Sequence, residues 1–389
     1  MPPWASLLAA ALAAACIAIG CGHDTAEQAT HHICQHDSVR ERMRRLLPSK
    51  PVELVPQRYG APPLAAGRGD GREGQRALAE DQVFLPLRMR FDYDTIGQAA
   101  LRDCRKAGDI VKLGDPPSTG ALCGGQGQQG SRADNCWWTC QAADVPTHEK
   151  LDMLHASLSY MANWFSKALQ VRPVEGNLTL GGYGACGMDG GVVIPVEYRE
   201  GGIANADLML LVTMRPTVQN VLAWAVACEH DQWGRPTAGQ INVAPRYLSS
   251  SNERQLRATM LHEVTHVLGF SSDAFFSFRD ENWRVREGVT RRGTAAGKQV
   301  TWMASPRVVS VMKEHFDAFD TSAEGVELED GGGGGTSGSH WEKRLLNNEL
   351  MTGTVAATSV YSPFTLALLE DSGWYRANYS AGGDLWWGR

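Results

Sequence analysis

The sequence predicts an α+β fold in which helices pack on a twisted sheet, and three segments carry this prediction. Apolar and charged residues alternate over residues 84–93, which is typical of a half-buried strand. Apolar residues recur at three- and four-residue steps over residues 147–169, which indicates a helix packed on the core. A second helix with an apolar face is predicted over residues 250–268.

The second helix has a start and an end that the sequence indicates. Ser250 and Glu253 have the S-x-x-E spacing of a capping box, which satisfies free N–H groups at a helix start. Gly269 lies where a glycine commonly ends a helix. Three further elements are predicted: strands over Val192–Val196 and Leu208–Val212, and a helix over Pro306–Phe319.

Composition indicates a globular protein without an evident polyanionic partner. Hydrophobic residues make up 43% of the 389 residues, which is ample for a sizeable core. Lys and Arg number 37 against 43 Asp and Glu, so the formal net charge is -6. This balance gives no reason to expect nucleic acid or an anionic membrane surface as a partner.

The N-terminus predicts export from the cell. Residues 5–19 form a nearly unbroken apolar stretch that is too short to span a bilayer and is followed by small residues. We interpret residues 1–22 as a secretory signal peptide, although the first four carry no Lys or Arg. A membrane anchor or a disordered tail is the alternative. The protein is then secreted or held at the cell surface, with no transmembrane segment.

The cysteines and two sequence triplets fit this location. Six cysteines beyond residue 100 predict three disulfides, and the sequence leaves their pairing open. Asn177 and Asn378 each begin a triplet that fits a glycosylation acceptor. Cys34 stands alone in a segment rich in His and charged residues.

The segment His262-Glu263-Val264-Thr265-His266 carries the chemistry of the chain. Two His four residues apart project from one helix face, so both can bind one Zn2+. Glu263 is placed to activate a water molecule for attack on a carbonyl. The alternative is that both His are ordinary surface residues of an amphipathic helix.

Catalytic zinc needs a third protein ligand. The chain continues toward the H-E-x-x-H-x-x-G-x-x-H pattern of the metzincins, but Ser272 occupies the third ligand position. Either a distant residue supplies the ligand or the site is defective. His340 and Met351 are the candidates for a distant ligand and for the methionine turn that metzincins place beneath the metal. Taken singly, each could be an ordinary loop histidine or core methionine.

The joint pattern resembles the leishmanolysin family of trypanosomatid surface metalloproteases. The matching stretches are HEVTHVLGFS (262–271), SHWEKR (339–344), NELM (348–351), WAVAC (224–228) and GRPTAG (234–239). The resemblance implies a metzincin-like zinc endopeptidase that hydrolyses internal bonds of extracellular proteins. It implies His262, His266 and His340 as metal ligands, Glu263 as the catalytic residue and Met351 in the methionine turn.

The segment around Cys34 is similar to the pro-region motif of this family. The resemblance implies that its thiolate occupies the fourth zinc position until the pro-region is cut. The alternative is an unpaired or scrambled thiol in a leader segment.

The expected organisation has four parts. A signal peptide over 1–22 precedes a pro-region over 23–80, an N-terminal catalytic subdomain over 81–270, and an insertion with a lower catalytic subdomain over 271–389. The chain is expected to stop before the family's C-terminal domain. Two rival functions remain: a non-catalytic surface or secreted adhesion protein, and a different zinc hydrolase.

Overall fold

The structure is a computed structural model. It describes residues 32–46, 54–59, 83–113, 128–129, 137–181, 186, 192–218, 220–319, 323–331 and 336–389. The predicted signal peptide lies outside the described residues, as do Cys123, Cys136 and most of the predicted pro-region. Within the described ranges, no helix is both long and apolar enough to cross a membrane.

Helices and strands both contribute to the fold, in agreement with the predicted α+β class. The α-helices are α1 His36–Leu46, α2 His148–Ala168, α3 Val196–Glu200, α4 Glu253–Leu268, α5 Pro306–His315 and α6 Pro363–Asp371. Short 3-10 helices cover Ala142–Asp144, Pro245–Tyr247, Ser250–Asn252, Ala274–Ser277 and Tyr379–Ala381.

The strands are short apart from those of the central sheet. They are β1 His32–Ile33, β2 Leu85–Pro86, β3 Met89–Asp92, β4 Ile110–Lys112, β5 Gln128–Gln129, β6 Trp137–Thr139, β7 Leu169–Val171, β8 Asn177–Leu178, β9 Ile203–Ala204, β10 Leu208–Thr213, β11 Ala223–His230, β12 Pro236–Val243, β13 Thr290–Ala295, β14 Lys298–Met303, β15 Val326–Glu327, β16 Thr354–Val355 and β17 Tyr375–Ala377.

The central sheet has four strands in the order β11-β12-β10-β3. Strands β3, β10 and β12 run parallel, and β11 pairs antiparallel with β12 as an end strand. All residues of β10 and β12 are buried, as expected for strands covered on both faces. The structure thus confirms the predicted strand at Leu208–Val212.

Helix α4 packs directly against this sheet because β12 carries a glycine beneath it. A Cβ added at Gly239 would lie 2.8 Å from Val267 Cγ1 and 2.9 Å from the carbonyl oxygen of Val226. The absence of a side chain therefore sets how closely α4 approaches the sheet. The helix ends as predicted at Gly269, whose φ of 141° would strain any other residue.

Three sequence-based predictions are wrong in detail. Ser250 and Glu253 form no capping box, because Ser250–Asn252 is a 3-10 turn and Asn252 occupies the N-cap without a side-chain bond. Residues 192–195 are irregular and Val196 begins α3, with Pro195 fixing the backbone at the N-cap. Leu169 leaves the helix pattern to begin β7, which pairs with β2 and β17.

Other predicted elements are confirmed with changed bounds. Helix α2 begins after the N-cap Thr147, whose side chain accepts from the Lys150 N–H. The helix predicted over 306–319 ends at His315. Strand β3 buries Met89 as predicted, but it also buries Asp92.

The main hydrophobic core contains residues from both ends of the described chain. It includes Leu87 near the start, the buried face of α2, the buried side of α4, and Leu385 near the end. Two disulfides, Cys104–Cys140 and Cys186–Cys228, lie in two smaller hydrophobic clusters that are separate from this core. They account for four of the six cysteines expected to pair.

A buried carboxylate, Glu349, organises the turn before β16. It accepts hydrogen bonds from the Ser362 hydroxyl at 2.8 Å, from the Thr365 hydroxyl and from the Met351 N–H. Thr365 also accepts from the indole N–H of Trp341 at 2.9 Å. Glu349 thereby joins the turn, the N-terminus of α6 and the residue that follows His340.

We expect Gly239→Ala to destabilise the protein by about 1–3 kcal/mol, because the new Cβ meets a backbone carbonyl and a packed valine. Chemical denaturation measures the loss. Gly201→Ala is the control, because a Cβ there would approach only the Glu197 carbonyl oxygen, at 3.2 Å. A loss at Gly239 no larger than that at Gly201 would contradict the close-approach role.

Burial raises the pKa of Glu349 to about 7. The groups that donate hydrogen bonds to it lower this pKa, but their effect is smaller than that of burial. The folded protein therefore binds a proton that the unfolded chain has released between about pH 4.5 and 7. Stability from this group is present below that window and is lost as pH rises through it, by roughly 3 kcal/mol. Glu349→Gln should flatten the pH dependence of the unfolding free energy, measured in urea at several pH values. Parallel wild-type and variant profiles would contradict this assignment.

Candidate metal centre

Three imidazole nitrogens converge on one point inside the molecule. The Nε2 atoms of His262 and His266 lie 3.1 Å apart, and that of His340 lies 3.1 Å from His266 and 3.3 Å from His262. All three side chains are buried. Two of them project from consecutive turns of α4, and the third comes from the loop before Trp341. The structure thus brings together the three residues that the sequence analysis selected.

Backbone carbonyls set the tautomer of each ring. The Nδ1 atoms of His262, His266 and His340 lie 2.8, 2.7 and 2.8 Å from the carbonyl oxygens of Leu350, Phe270 and Thr336. A carbonyl oxygen can only accept, so each Nδ1 carries the proton and donates it. Each Nε2 is therefore left with a lone pair directed at the common point.

Burial also favours the neutral form of the rings. It lowers the pKa of His262 and His266 well below the usual range, and that of His340 to about 4. Neighbouring His rings lower the values of the first two further. Neutral imidazole is the form that binds a metal ion, so the site is prepared for one at neutral pH.

The spacing of the donor atoms fits zinc. A tetrahedral ion with Zn–N bonds of about 2.0–2.1 Å holds its nitrogen ligands about 3.3 Å apart, and a Zn–S bond of about 2.3 Å gives an N–S distance of about 3.5 Å. The Nε2 atoms are 3.1–3.3 Å apart, and Cys34 Sγ lies 3.4 Å from His266 Nε2. These four residues offer ligand atoms that could hold one ion.

Cys34 reaches the site on a short strand and the helix that follows it. Strand β1 pairs with β16, and the thiol lies next to the start of α1 and accepts from the His36 N–H at 3.4 Å. Burial raises the pKa of Cys34 well above its usual value, and the negative charge of Glu263 raises it further. A thiolate at this place therefore requires a nearby cation, and together with the three imidazoles the thiol offers ligand atoms that could hold one.

Glu263 is buried beside the convergent imidazoles and is held at both oxygens. Oε2 accepts from the Ala225 N–H at 3.1 Å, and Oε1 lies 2.7 Å from His32 Nε2. His32 Nδ1 accepts from the Leu222 N–H at 3.2 Å, so its ring proton is on Nε2 and is donated to Glu263. His32, two positions before Cys34, therefore forms a hydrogen bond to the carboxylate that the sequence predicts to be catalytic.

The rest of this segment lies against the end strand and the helix α4. His36 stacks on His266 with ring centroids 4.2 Å apart and donates from Nδ1 to the Ala225 carbonyl oxygen. Ile33 N–H donates to the carbonyl oxygen of Asn220 at 3.0 Å. Arg40 donates to the hydroxyl of Ser272 at 2.8 Å. We call residues 32–40 the Cys34 segment.

Met351 and Ser272 lie close to the ligands in sequence or in space. Met351 is fully buried, and its neighbour Leu350 supplies the carbonyl that accepts from His262. Ser272 donates its N–H to Ser339, the residue before His340, at 3.1 Å. The serine at the position expected for a third ligand therefore bonds to the residue directly before His340.

Sequence reasoning missed the contacts of His32, His36 and Glu349. Their partners lie far away in the chain or are backbone atoms, and spacing carries no signal for either. The clustering of His32 and His36 around a lone cysteine was the one available clue.

The family model described as leishmanolysin matches residues 102–389 of the chain. A leishmanolysin homolog of Crithidia fasciculata is 33% identical over 377 residues, which cover 94% of this chain and 53% of that protein. Leishmanolysin of Leishmania major is 29% identical over 394 aligned positions, covering 98% and 60%. A leishmanolysin-like peptidase of Drosophila pseudoobscura pseudoobscura is 39% identical over 226 residues, covering 48% and 33%.

The chain thus spans between about a third and three fifths of the length of these relatives. The family model nevertheless covers well over half of the chain, including every histidine of the convergent set and Glu263. The chain belongs to the leishmanolysin family.

Proposed function

We propose that the chain is a zinc-dependent endopeptidase of metzincin type, made as a secreted and self-inhibited precursor. One observation carries the proposal: three proton-free Nε2 atoms face one point beside the buried carboxylate Glu263. An adhesion protein has no use for this arrangement. Names of the relatives support peptidase activity, and the two disulfides favour an oxidising compartment.

His262, His266 and His340 would hold the ion. Bound zinc would polarise the scissile carbonyl and make a water molecule more acidic. The Glu263 carboxylate takes a proton from the attacking water and later passes it to the leaving amine. The Ala225 N–H fixes one oxygen of Glu263, so the carboxylate keeps a constant orientation during both transfers. Met351 would form the methionine turn, since Leu350 beside it orients His262.

The end strand β11 offers a place for the substrate. Its Ala225 N–H donates to Glu263, and the Ala225 carbonyl oxygen accepts from His36 in the structure. An extended substrate peptide would form main-chain hydrogen bonds with this strand, which would place one of its carbonyl groups near Glu263. Internal peptide bonds of extended protein segments are therefore the expected substrates.

The Cys34 segment would block the site at two atoms. Cys34 would take the coordination position that water needs, and His32 engages Glu263. Removal of the residues before about 80 would free both groups together. The precursor would thus lack both the attacking water and an available proton acceptor.

Glu263→Gln in the processed protein should lower casein cleavage by roughly 10²–10⁴-fold, because the amide cannot accept a proton. Its zinc content should match that of the wild type, since Glu263 is not a proposed ligand. Atomic absorption and a casein assay measure the two properties.

His340→Ala is the contrasting variant, because it should lose both zinc and activity. If that variant bound zinc as tightly as the wild type, His340 would not be a zinc ligand. Full activity in Glu263→Gln would refute the proposed role of the carboxylate.

Cys34→Ser should make the unprocessed chain active on casein, because a serine hydroxyl is a poor zinc ligand and would release the fourth position. Ile33→Ser is the matched control, since Ile33 is the last residue of β1, directly before Cys34, and its side chain is exposed. The control should stay latent until processed. Continued latency of Cys34→Ser would contradict inhibition by the thiolate.

A further inference from the structure

A second segment preceding the catalytic part is bound across the surface in extended form. Residues 54–59 alternate in burial: Val55, Gln57 and Tyr59 point inward, and the other three are exposed. Val55 N–H donates to the His230 carbonyl oxygen at 2.8 Å, and the Arg58 carbonyl oxygen accepts from the Glu175 N–H at 2.9 Å. We call residues 54–59 the anchor segment.

Gln57 is recognised by two reciprocal amide pairs. Its backbone N–H donates to Gln232 Oε1 at 2.8 Å, and its carbonyl oxygen accepts from Gln232 Nε2 at 3.0 Å. Its side chain donates to the Thr179 carbonyl oxygen at 2.7 Å and accepts from the Thr179 N–H at 3.2 Å. The first pair binds the backbone of Gln57 and would accept any residue except proline there. The second pair needs both a donor and an acceptor on the side chain, as an amide provides.

Tyr59 lies in a slot in which its hydroxyl group both donates and accepts a hydrogen bond. The hydroxyl donates to Asp231 Oδ2 and accepts from Arg235 at 2.8 Å. Asp231 and Arg235 are themselves buried and ion-paired. A buried acceptor beside a buried donor recognises a group that can do both, and a phenol hydroxyl is such a group.

Aromatic and cationic side chains form the walls of the slot. Arg172 lies 5.1 Å from the centroid of the Tyr59 ring and 5.0 Å from that of the Trp283 ring. The Trp233 and Trp283 rings are 5.3 Å apart. Trp283 holds its ring there with a φ of 62°, which is a rare conformation for a bulky residue.

The slot is separate from the metal centre. Residues Arg172, Asp231, Trp233, Arg235, Trp283 and Trp374 line a pocket beside the Tyr59 ring, and no ligand histidine is among them. His230 lies five residues beyond Ala225 along β11, which corresponds to roughly 15 Å. One extended peptide could reach both places.

We propose that this slot and the amide pairs beside it form a second peptide-binding site, which takes an extended segment with glutamine two residues before tyrosine. The anchor segment fills the site in the precursor. Protein substrates that carry such a segment occupy it after processing and are held near the metal centre. The substrate role rests on the proposed peptidase function, whereas the binding site does not.

The binding test uses full-length Glu263→Gln protein that is cut after residue 82 by an inserted protease site and freed of the released fragment. A fluorescent peptide with the sequence of residues 54–59 should bind it. Peptide versions with Tyr59→Ala or Gln57→Leu should bind at least about tenfold more weakly, because each leaves buried polar groups unpaired. Equal binding of the three peptides, or no binding by folded protein, would overturn the proposal.

A second measurement avoids processing, in case the cut protein unfolds. Tyr59→Gly in the intact chain leaves an empty slot, so p-cresol, which has the atoms of the whole tyrosine side chain, should raise the melting temperature of the variant. Toluene lacks the hydroxyl and should raise it less. The same p-cresol concentration should not stabilise wild type, and an equal response of variant and wild type would overturn the assignment.

The substrate role is tested separately with active processed protein. The anchor peptide should slow cleavage of a protein substrate with a Gln-x-Tyr segment and leave cleavage of a short peptide without it unchanged. Peptide binding without this selective inhibition would overturn the substrate role alone. Loss of all cleavage with retained peptide binding would instead count against the proposed function.

Discussion

The site depends on three backbone carbonyls that fix three imidazole rings. Phe270 supplies one just after the end of α4, Leu350 supplies another from the turn, and Thr336 supplies the third from the loop before His340. These carbonyls belong to three separate parts of the chain. A shift of any of these three segments would rotate one lone pair away from the common point. The packing around the site must therefore hold all three carbonyl groups in place.

Without a cation, this arrangement is unfavourable in itself. Three lone pairs face each other in a buried space, together with a thiol and a carboxylate. The fold holds them there through contacts that do not involve the ion, such as the close approach of α4 to Gly239 and the bonds around Glu349. Metal binding would relieve the repulsion, so metal affinity and folding are expected to be coupled.

The sequence was most informative where the signal is local. The positions of His262, Glu263 and His266 on one helix follow from their spacing, and α2 follows from its apolar period. His340 could be selected only together with Met351, from the general metzincin pattern, because 74 positions separate it from His266. The prediction of a strand at Val192–Val196 was wrong because a short apolar run is compatible with either a strand or a helix. Pro195 favours a helix start at this place. Polar partners such as those of Glu349 are decided by tertiary packing, which residue spacing does not encode.

The end strand β11 explains why both segments bind where they do. An end strand exposes unpaired backbone groups, and such an edge can recruit other extended chains. The Cys34 segment covers the Ala225 end of β11, and the anchor segment covers the His230 end. The proposed substrate peptide would use the same backbone groups. A cover made of few main-chain hydrogen bonds would therefore protect this edge of the sheet and could still be replaced by substrate. Both segments belong to the same chain as β11, which raises the effective concentration of each. In the proposed precursor, weak individual contacts would then be enough to keep the site closed.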